Sequence, residues 1–285
     1  MSLVQGRMSR TASPIGTAGR FPGTATDAPI DPAWQPWLEL LEVALDAASN
    51  AAAVAVVPSS VDQPSGAPML HDATARVDGR QARALVRRLA NVVGLLATDE
   101  LNPTELIRAA IVREELVIAR MAECAGVPAD TLAVLAQMAA IPVLHAGARM
   151  LGSGAARVWQ RGYCPVCGSW PSLVEMRGIE RERRLRCGCC GADWPLPILR
   201  CAFCGETDHH QLGSLLPEGE EQTRRIEVCE QCHGYLKVVT TLGALPLRVL
   251  ARQDLTTVPL DLVAQDRGYA RPSHRGWALA IEVAT

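Results

Sequence analysis

Eight cysteines of this chain form four Cys-x-x-Cys pairs between Cys164 and Cys232. Two thiolates at this spacing can face one ion from a tight turn, and two such turns complete a tetrahedral site with four sulfur ligands. A single pair could equally be a redox dithiol, but four pairs in series favour metal binding. We therefore predict two metal ions held by Cys164, Cys167, Cys187, Cys190, Cys201, Cys204, Cys229 and Cys232.

The order of the pairs predicts how the two ions are shared. Closing a loop of about 20 residues costs less chain entropy than closing a longer one, so we expect neighbouring pairs to share an ion. The first and second pairs would bind one ion, and the third and fourth pairs would bind the other. Each half then has the zinc-ribbon or rubredoxin pattern, in which two cysteine turns, or knuckles, are joined by a β-hairpin.

Tetrahedral coordination by four sulfurs suits zinc or a single iron, and the spacing does not choose between them. Four thiolates leave no open position for water, so a zinc ion there would be structural. The sequence contains no phosphate-binding glycine loop, no nucleophile elbow and no paired histidines on a helix, and we expect no enzyme. Two groups outside the eight ligands have an alternative functional interpretation. Cys189 is then a reactive or sulfur-carrying thiol, and His209–His210 are an extra metal or proton site.

Length and composition predict two domains of an α+β protein: 285 residues, 48% of them apolar, can bury a sizeable core. An N-terminal all-α helical domain is followed by a C-terminal tandem zinc-ribbon or rubredoxin-like metal-binding domain. The expected boundaries are a flexible arm over 1–30, the helical domain over 31–155, the tandem four-cysteine ribbons over 156–240 and a C-terminal extension over 241–285 that packs on the rest.

Apolar periodicity and capping residues place the helices of the N-terminal half. The predicted elements are a helix from Asp31 to about Ala53, a loop over Pro58–Gly79, a helix from Arg80, one helix from the Asn102 cap to Gly126, and two helices separated before Pro142. Trp34 and Trp37 lie on the first apolar stripe, where they are core residues or, alternatively, anchors for a partner. Cys124 is expected to be a buried small residue.

Charge argues against several classes of partner. The net charge of −2 gives no general attraction to nucleic acid or membrane, and no signal peptide or membrane span is expected. The first hairpin is rich in arginine whereas the loop of the second is acidic. A domain with one basic side and one acidic side suits an oriented contact with a protein better than binding along the phosphate backbone of a nucleic acid. Arg181, Arg183 and Arg184 are therefore the predicted partner surface.

The C-terminal motifs resemble the FdhE-type formate dehydrogenase accessory proteins. The resemblance rests on Cys164-Pro165-Val166-Cys167-Gly168-Ser169 with Pro171, Leu185-Arg186-Cys187 with Cys190 and Trp194, Cys201-x-x-Cys204, Cys229-x-x-Cys232-His233-Gly234-Tyr235-Leu236-Lys237, Asp254-Leu255 and Gly268-Tyr269-Ala270-Arg271. These motifs cover the C-terminal 120 residues, whereas the helical half is similar only in general character. Cys189 is not part of the shared motif.

The resemblance implies a cytoplasmic, chaperone-like assembly factor for respiratory formate dehydrogenase. Its partner would be the catalytic subunit, which contains molybdopterin and selenocysteine, before twin-arginine export. The resemblance also favours rubredoxin-type iron over zinc in both four-cysteine sites. It implies that the eight paired cysteines are the metal ligands. Other hypotheses are a redox or sulfur-transfer protein acting through knuckle thiols and a zinc-ribbon nucleic-acid binder; the oligomeric state, a homodimer included, is left open.

Overall fold

The computed structural model describes residues 19–21, 32–50, 54–60, 62–95, 100–151, 158–217, 224–273 and 276–285. It has mixed helices and sheets, which confirms the predicted α+β class. The helices are α1 Gln35–Ser49, α2 Gly79–Val92, α3 Pro103–Val112, α4 Glu115–Ala125, α5 Ala129–Leu151, α6 Leu247–Thr256 and α7 Val258–Asp266. The strands are β1 Gly19–Phe21, β2 Val54–Val57, β3 Ala73–Val77, β4 Leu173–Arg177, β5 Glu182–Arg186, β6 Asp193–Pro195, β7 Leu212–Pro217, β8 Arg224–Cys229, β9 Tyr235–Thr241 and β10 Ile281–Ala284.

Helix α5 is the centre of the helical part and packs against α1, α2, α3 and α4. Its buried face is lined by small and aliphatic side chains such as Leu132, Leu135, Ala136 and Ala139. By length and composition alone, α5 is the one helix among the described residues that could cross a membrane. Most of that apolar window is buried inside the fold, so its hydrophobicity is used for core packing.

The N-terminal half is not purely helical, which corrects the all-α prediction for that half. Strands β2 and β3 pair antiparallel, and the C-terminal strand β10 pairs parallel with β3, giving the order β10-β3-β2. The predicted loop Pro58–Gly79 thus contains a strand whose Ala73, Ala75 and Val77 are buried in alternation. Small alanines and one arginine make a weak strand signal. The partner strand lies more than 200 residues away in sequence.

Two helix boundaries also differ from the sequence prediction. The helix expected to run from Asn102 to Gly126 is interrupted at Arg113, which has a left-handed backbone with φ of 64°. Arg108 bridges this interruption by binding both Glu105 and Glu114. Pro142, by contrast, does not end a helix but lies inside α5, where its missing N–H costs one backbone hydrogen bond that the packed neighbours tolerate.

The two ribbons form one seven-stranded sheet in the order β1-β7-β8-β9-β4-β5-β6. Within it, β4 pairs parallel with β9, so the first ribbon and the second ribbon share backbone hydrogen bonds along their length. The largest buried apolar cluster extends from the helices into the first ribbon and includes Leu89, Leu135, Val174 and Trp194. A smaller cluster joins the second ribbon to α7 through Ile226, Tyr235 and Leu260.

The expected terminal segments lie partly outside the described residues. Of the predicted flexible arm, only β1 is described, and it pairs parallel with β7. The predicted boundary between the helical domain, ending at residue 155, and the ribbons, beginning at residue 156, also lies outside the described residues. Residues 241–285 contact both halves of the chain: Arg248 of α6 forms ion pairs with Glu42 and Asp46 of α1, and β10 joins the small N-terminal sheet.

Candidate metal centres

The eight knuckle cysteines form two clusters with the sequential pairing that the spacing predicts. All four Sγ atoms of each cluster lie within 4.8 Å of one another. In the first cluster, Cys164–Cys190 and Cys167–Cys187 have Sγ–Sγ distances of 3.5 Å. In the second cluster, the two corresponding distances are 3.7 Å. Four sulfurs about 2.3 Å from a central ion would be about 3.8 Å apart, so both arrangements fit a tetrahedral metal site.

The same backbone turn builds all four knuckles. In each, the N–H of the first cysteine donates to the carbonyl oxygen five residues later, at 2.8–3.0 Å: Cys164 to Ser169, Cys187 to Ala192, Cys201 to Glu206 and Cys229 to Gly234. The fourth residue after that cysteine has a left-handed backbone in every case. Three of these positions are glycines, with φ of 71–80°, and the fourth is His233, with φ of 52°. The turn therefore explains the glycine that follows three of the pairs.

Backbone amides support the sulfurs inside these turns. The N–H groups of Val166, Cys190 and Phe203 lie 3.4–3.5 Å from a knuckle sulfur. Such donors stabilise negative charge on thiolates and orient them toward an ion. The two clusters thus have a second layer of ligand support that belongs to the local turn and does not depend on distant parts of the chain.

All four thiols of the first cluster are buried. Burial raises the pKa of Cys164 and of Cys190, whereas hydrogen bonds from Cys164, Cys187 and Cys190 lower the pKa of Cys167. Four thiolates packed this closely require a cation to offset their charge, which is what a divalent or trivalent metal supplies.

The second cluster is open to solvent on one side. Cys204 and Cys232 are exposed, whereas Cys201 and Cys229 are buried. Burial raises the pKa of Cys201 to about 11 in the metal-free thiol state. Phe203, within the third knuckle, packs edge-on against Trp170 with ring centroids 5.3 Å apart, so an aromatic contact links the two centres.

His145 of α5 contacts the first centre, a role that sequence reasoning missed. Its Nδ1 lies 3.0 Å from the carbonyl oxygen of Cys190, and an N–H at that position would donate to it. Gly191 of the same knuckle approaches the His145 ring. No spacing rule connects a helix histidine to a knuckle 45 residues later, so periodicity alone predicts an ordinary helix residue here.

The arginine-rich hairpin is largely neutralised inside the protein. Arg183 is buried, and its guanidinium binds Glu227 Oε2 at 2.8 Å and the carbonyl oxygen of Pro197 at 3.2 Å. Arg184 binds Asp193 at 2.7 Å and its side chain is mostly buried. Of the three predicted partner residues, Arg181 is exposed.

Further charged residues of the quoted motifs meet between the second ribbon and the two C-terminal helices. Lys237 is almost fully buried, and its Nζ binds Asp254 at 2.8 Å and Asp261 at 2.6 Å. Arg271 pairs with the same two carboxylates, and Tyr235 donates to Asp261 at 2.8 Å. These contacts fix α6 and α7 to the sheet, which gives the Asp254 and Arg271 motif positions a structural role.

The remaining candidate residues occupy three different environments. Cys189 is half-buried and lines a cleft of about 590 Å³ between the helical part, the first ribbon and the C-terminal helices. Cys124 is exposed, which corrects the expectation that it is a buried small residue. His209 and His210 lie on the exposed loop before β7, next to Asp208. Trp37 is 40% exposed, whereas Leu38, Leu41 and Leu45 of its stripe are buried.

The C-terminal part of the chain is similar to one family of known proteins. The family model "FdhE, C-terminal domain" matches residues 199–276. "Protein FdhE homolog" of Aquifex aeolicus (strain VF5) is 34% identical over 116 residues, which are 40% of this chain and 40% of that protein. "Protein FdhE" of Escherichia coli O127:H6 is 34% identical over 116 residues, 40% of this chain and 37% of the relative.

The chain thus matches about 40% of the length of these curated relatives. A solved structure, the FdhE protein from Pseudomonas aeruginosa, is 21% identical, covers 83% of this chain and 85% of its own, and superposes with a TM-score of 0.49. The resemblance that the cysteine motifs predict is confirmed by the family model and the sequence relatives.

Proposed function

Because its C-terminal part matches the FdhE C-terminal domain model, we propose that this chain is a cytoplasmic accessory protein for the maturation of respiratory formate dehydrogenase. It would act by binding the catalytic subunit and not by turnover. The observation that carries the proposal is the pair of four-cysteine clusters inside a domain with FdhE motifs. Nothing in the geometry of the two clusters offers a substrate an open coordination position.

We propose that both clusters hold metal ions as structural centres, with iron favoured and zinc as the alternative. The sulfur distances and the amide support of the knuckles fit either ion. Each centre joins the two knuckles that one hairpin connects, β4–β5 in the first ribbon and β7–β8 in the second. Metal binding would therefore contribute directly to the folding of the ribbons.

The charges favour a partner surface that includes only part of the arginine run of the first hairpin. Arg183 already forms a buried pair and Arg184 is engaged by Asp193, so their charges are largely used internally. Arg181 at the hairpin turn and the exposed Trp37 of α1 are the better contact candidates. Exposed aromatic and arginine side chains are the usual anchors of protein interfaces.

A capture experiment tests this proposal. Immobilised protein is incubated with the catalytic subunit of formate dehydrogenase at low and high salt, and Arg181→Glu is compared with Arg120→Glu, an exposed arginine of α4. The wild type and Arg120→Glu should retain the subunit equally, and Arg181→Glu should retain less at low salt, where exposed charges are weakly screened. Absence of capture by the wild type would contradict the proposed function, whereas equal capture by all three would remove Arg181 from the interface.

One observation favours a second candidate function, a redox or sulfur-transfer protein. Cys204 and Cys232 are accessible thiols of opposite knuckles, as such a reaction would need. If this function held, these thiols would react reversibly in the native protein without loss of a bound ion. Mass spectrometry of the anaerobically alkylated protein separates the two candidates, because bound ions protect ligand thiols.

A further inference from the structure

The loop between the third knuckle and β7 brings three side chains with metal-ligand atoms together. The ligand atoms of Asp208, His209 and His210 all lie within 4.8 Å of one another. The two imidazole rings are close together and tilted, with centroids 3.9 Å apart and an interplanar angle of 40°. His209 Nδ1 lies 3.8 Å from Asp208 Oδ1. Two imidazoles and one carboxylate are a ligand set for zinc, iron, cobalt or nickel.

This loop is held in shape by its own hydrogen bonds. Glu206 Oε1 accepts the N–H groups of Thr207 at 2.7 Å and Asp208 at 2.8 Å. Asp208 Oδ1 accepts the N–H of His210 at 2.9 Å, and the Asp208 carbonyl oxygen accepts that of Gln211 at 2.9 Å. The three ligand side chains are therefore displayed from a fixed turn, which reduces the ordering that an ion would have to impose.

Both ends of the loop are attached to the second four-cysteine cluster. The carbonyl oxygen of Glu206 accepts from Cys201 N–H at 2.8 Å, and the carbonyl oxygen of Gln211 accepts from Glu230 N–H at 2.8 Å. Glu230 directly follows Cys229. The loop thus spans the two knuckles of the cluster whose Cys204 and Cys232 are exposed. An ion on this loop would therefore be held by a segment that is hydrogen-bonded to both knuckles of that cluster.

We propose that Asp208, His209 and His210 form a third metal site, which takes a divalent transition-metal ion and passes it to the second four-cysteine cluster. Three protein ligands leave coordination positions open, so the ion stays exchangeable. In the transfer, bonds to nitrogen and oxygen break as bonds to sulfur form, and each thiol that binds the ion releases its proton to solvent. Softer thiolate ligands favour the final four-sulfur position for zinc and similar ions.

Cobalt(II) is the probe for the third site, because its spectrum reports the ligand type. Co²⁺ is titrated anaerobically into the full chain with both four-cysteine centres filled with zinc. The proposal predicts one bound equivalent with weak visible bands and without the strong near-ultraviolet sulfur-to-cobalt absorption. This part of the inference does not rest on the function proposed above. Absence of binding, or growth of the sulfur-to-cobalt band in place of the weak bands, would overturn it.

Variants of the loop make the assignment specific. His209→Ala/His210→Ala should abolish the weak-band spectrum, and Asp208→Asn should weaken binding more than about tenfold while its amide oxygen keeps the bond to His210 N–H. Thr207→Ala is the matched control, since its side chain is not among the three ligands, and it should bind as the wild type. Equal binding by the wild type and the double variant would overturn the site.

The transfer has its own test and rests on the proposed occupancy of the second centre. After a chelator has removed one ion, one equivalent of Co²⁺ is added and the sulfur-to-cobalt absorption is followed in time. The double variant should lose the fast phase of loading yet reach the final absorbance of the wild type. Identical time courses would contradict the transfer, whereas a lower final absorbance in the variant would show that the loop is needed for the centre itself and would also contradict it.

Discussion

At the scale of single residues, the clustering of the cysteines was predictable and side-chain direction was not. The Cys-x-x-Cys spacing specifies the eight clustered cysteines because a tight turn permits few arrangements of two sulfurs. The arginine run of β5 provided no such constraint. Neighbouring residues of a strand point to opposite faces of the sheet. Arg183 lies within β5 and is buried against Glu227, whereas Arg181 precedes β5 and lies in the turn. A count of charges cannot distinguish these two positions.

Replacement of Arg183 should show that this charge is structural. Arg183→Ala removes the buried guanidinium and leaves Glu227 paired with Arg225 alone, and we expect a loss of about 2 kcal/mol in the free energy of unfolding. Arg181→Ala, at an exposed position, should change it by less than about 0.5 kcal/mol. Urea unfolding of the metal-loaded protein measures both. Equal effects of the two substitutions would mean that the Arg183–Glu227 pair contributes no net stability.

The three tyrosines make stability sensitive to alkaline pH. Burial raises the pKa of Tyr163 and of Tyr269, and burial together with Asp261 raises the pKa of Tyr235 to about 12. An unfolded tyrosine titrates near pH 10, so the folded state binds more protons above that pH. The resulting stability is present below about pH 10 and is lost as the pH rises toward about 12.

Phenolate absorbance checks this directly. At about pH 10.5 the native protein should show less phenolate absorbance than the urea-unfolded protein. In the unfolded protein all three tyrosines should ionise with a midpoint near pH 10. Tyr235→Phe should reduce the fall in stability between about pH 10 and 12. A native midpoint near pH 10 for all three groups would contradict the buried placement of these hydroxyls.

At the scale of elements, the knuckles and hairpins were predictable and the small sheet was not. The predicted knuckle–hairpin–knuckle order appears as β4–β5 in the first ribbon and β7–β8 in the second. Strand β3 was missed because its stability comes from β10, and periodicity carries no signal for so distant a partner. Pro142 was misread as a helix end because tertiary packing of α5 outweighs one lost hydrogen bond.

Two knuckle glycines form a matched pair for testing the turn. Both have a left-handed backbone, but a Cβ at Gly168 would lie 2.7 Å from Trp277 Cβ, whereas one at Gly205 would meet nothing within 4 Å. Gly205→Ala should cost about 1 kcal/mol from backbone strain alone. Gly168→Ala adds overpacking and should cost about 2–4 kcal/mol in total. Thermal unfolding and metal content measure the difference, and equal losses would contradict the packing of the first knuckle.

At the scale of the whole molecule, the two centres differ in their surroundings although their ligands are alike. The first lies in the core shared with the helices, whereas the cysteines of the second lie outside that core and two of them are exposed. The pairing of β4 with β9 and the return of β10 to the N-terminal sheet create this asymmetry. Such non-local pairings are set by the complete chain, so the spacing of cysteines could not reveal which centre is protected.

Chelation should separate the two centres in time. A chelator reaches the ion of the second centre through exposed Cys204 and Cys232, whereas the first centre opens only with the core. We expect biphasic release with one ion in each phase, followed by a chromogenic indicator. Cys204→Ser/Cys232→Ser should remove the fast phase only. Release of both ions in a single phase would contradict the structural difference between the centres.

The measurement that tests the central claim most directly is a joint count of metal ions and reactive thiols in the anaerobically purified native chain. Of its ten cysteines, Cys124 and Cys189 lie outside the two clusters. Elemental analysis should find two metal ions per chain. A thiol reagent should label exposed Cys124 quickly and half-buried Cys189 more slowly, while the other eight cysteines react only after metal release. Eight or more fast thiols with fewer than two bound ions would contradict the assignment of the clusters as metal centres.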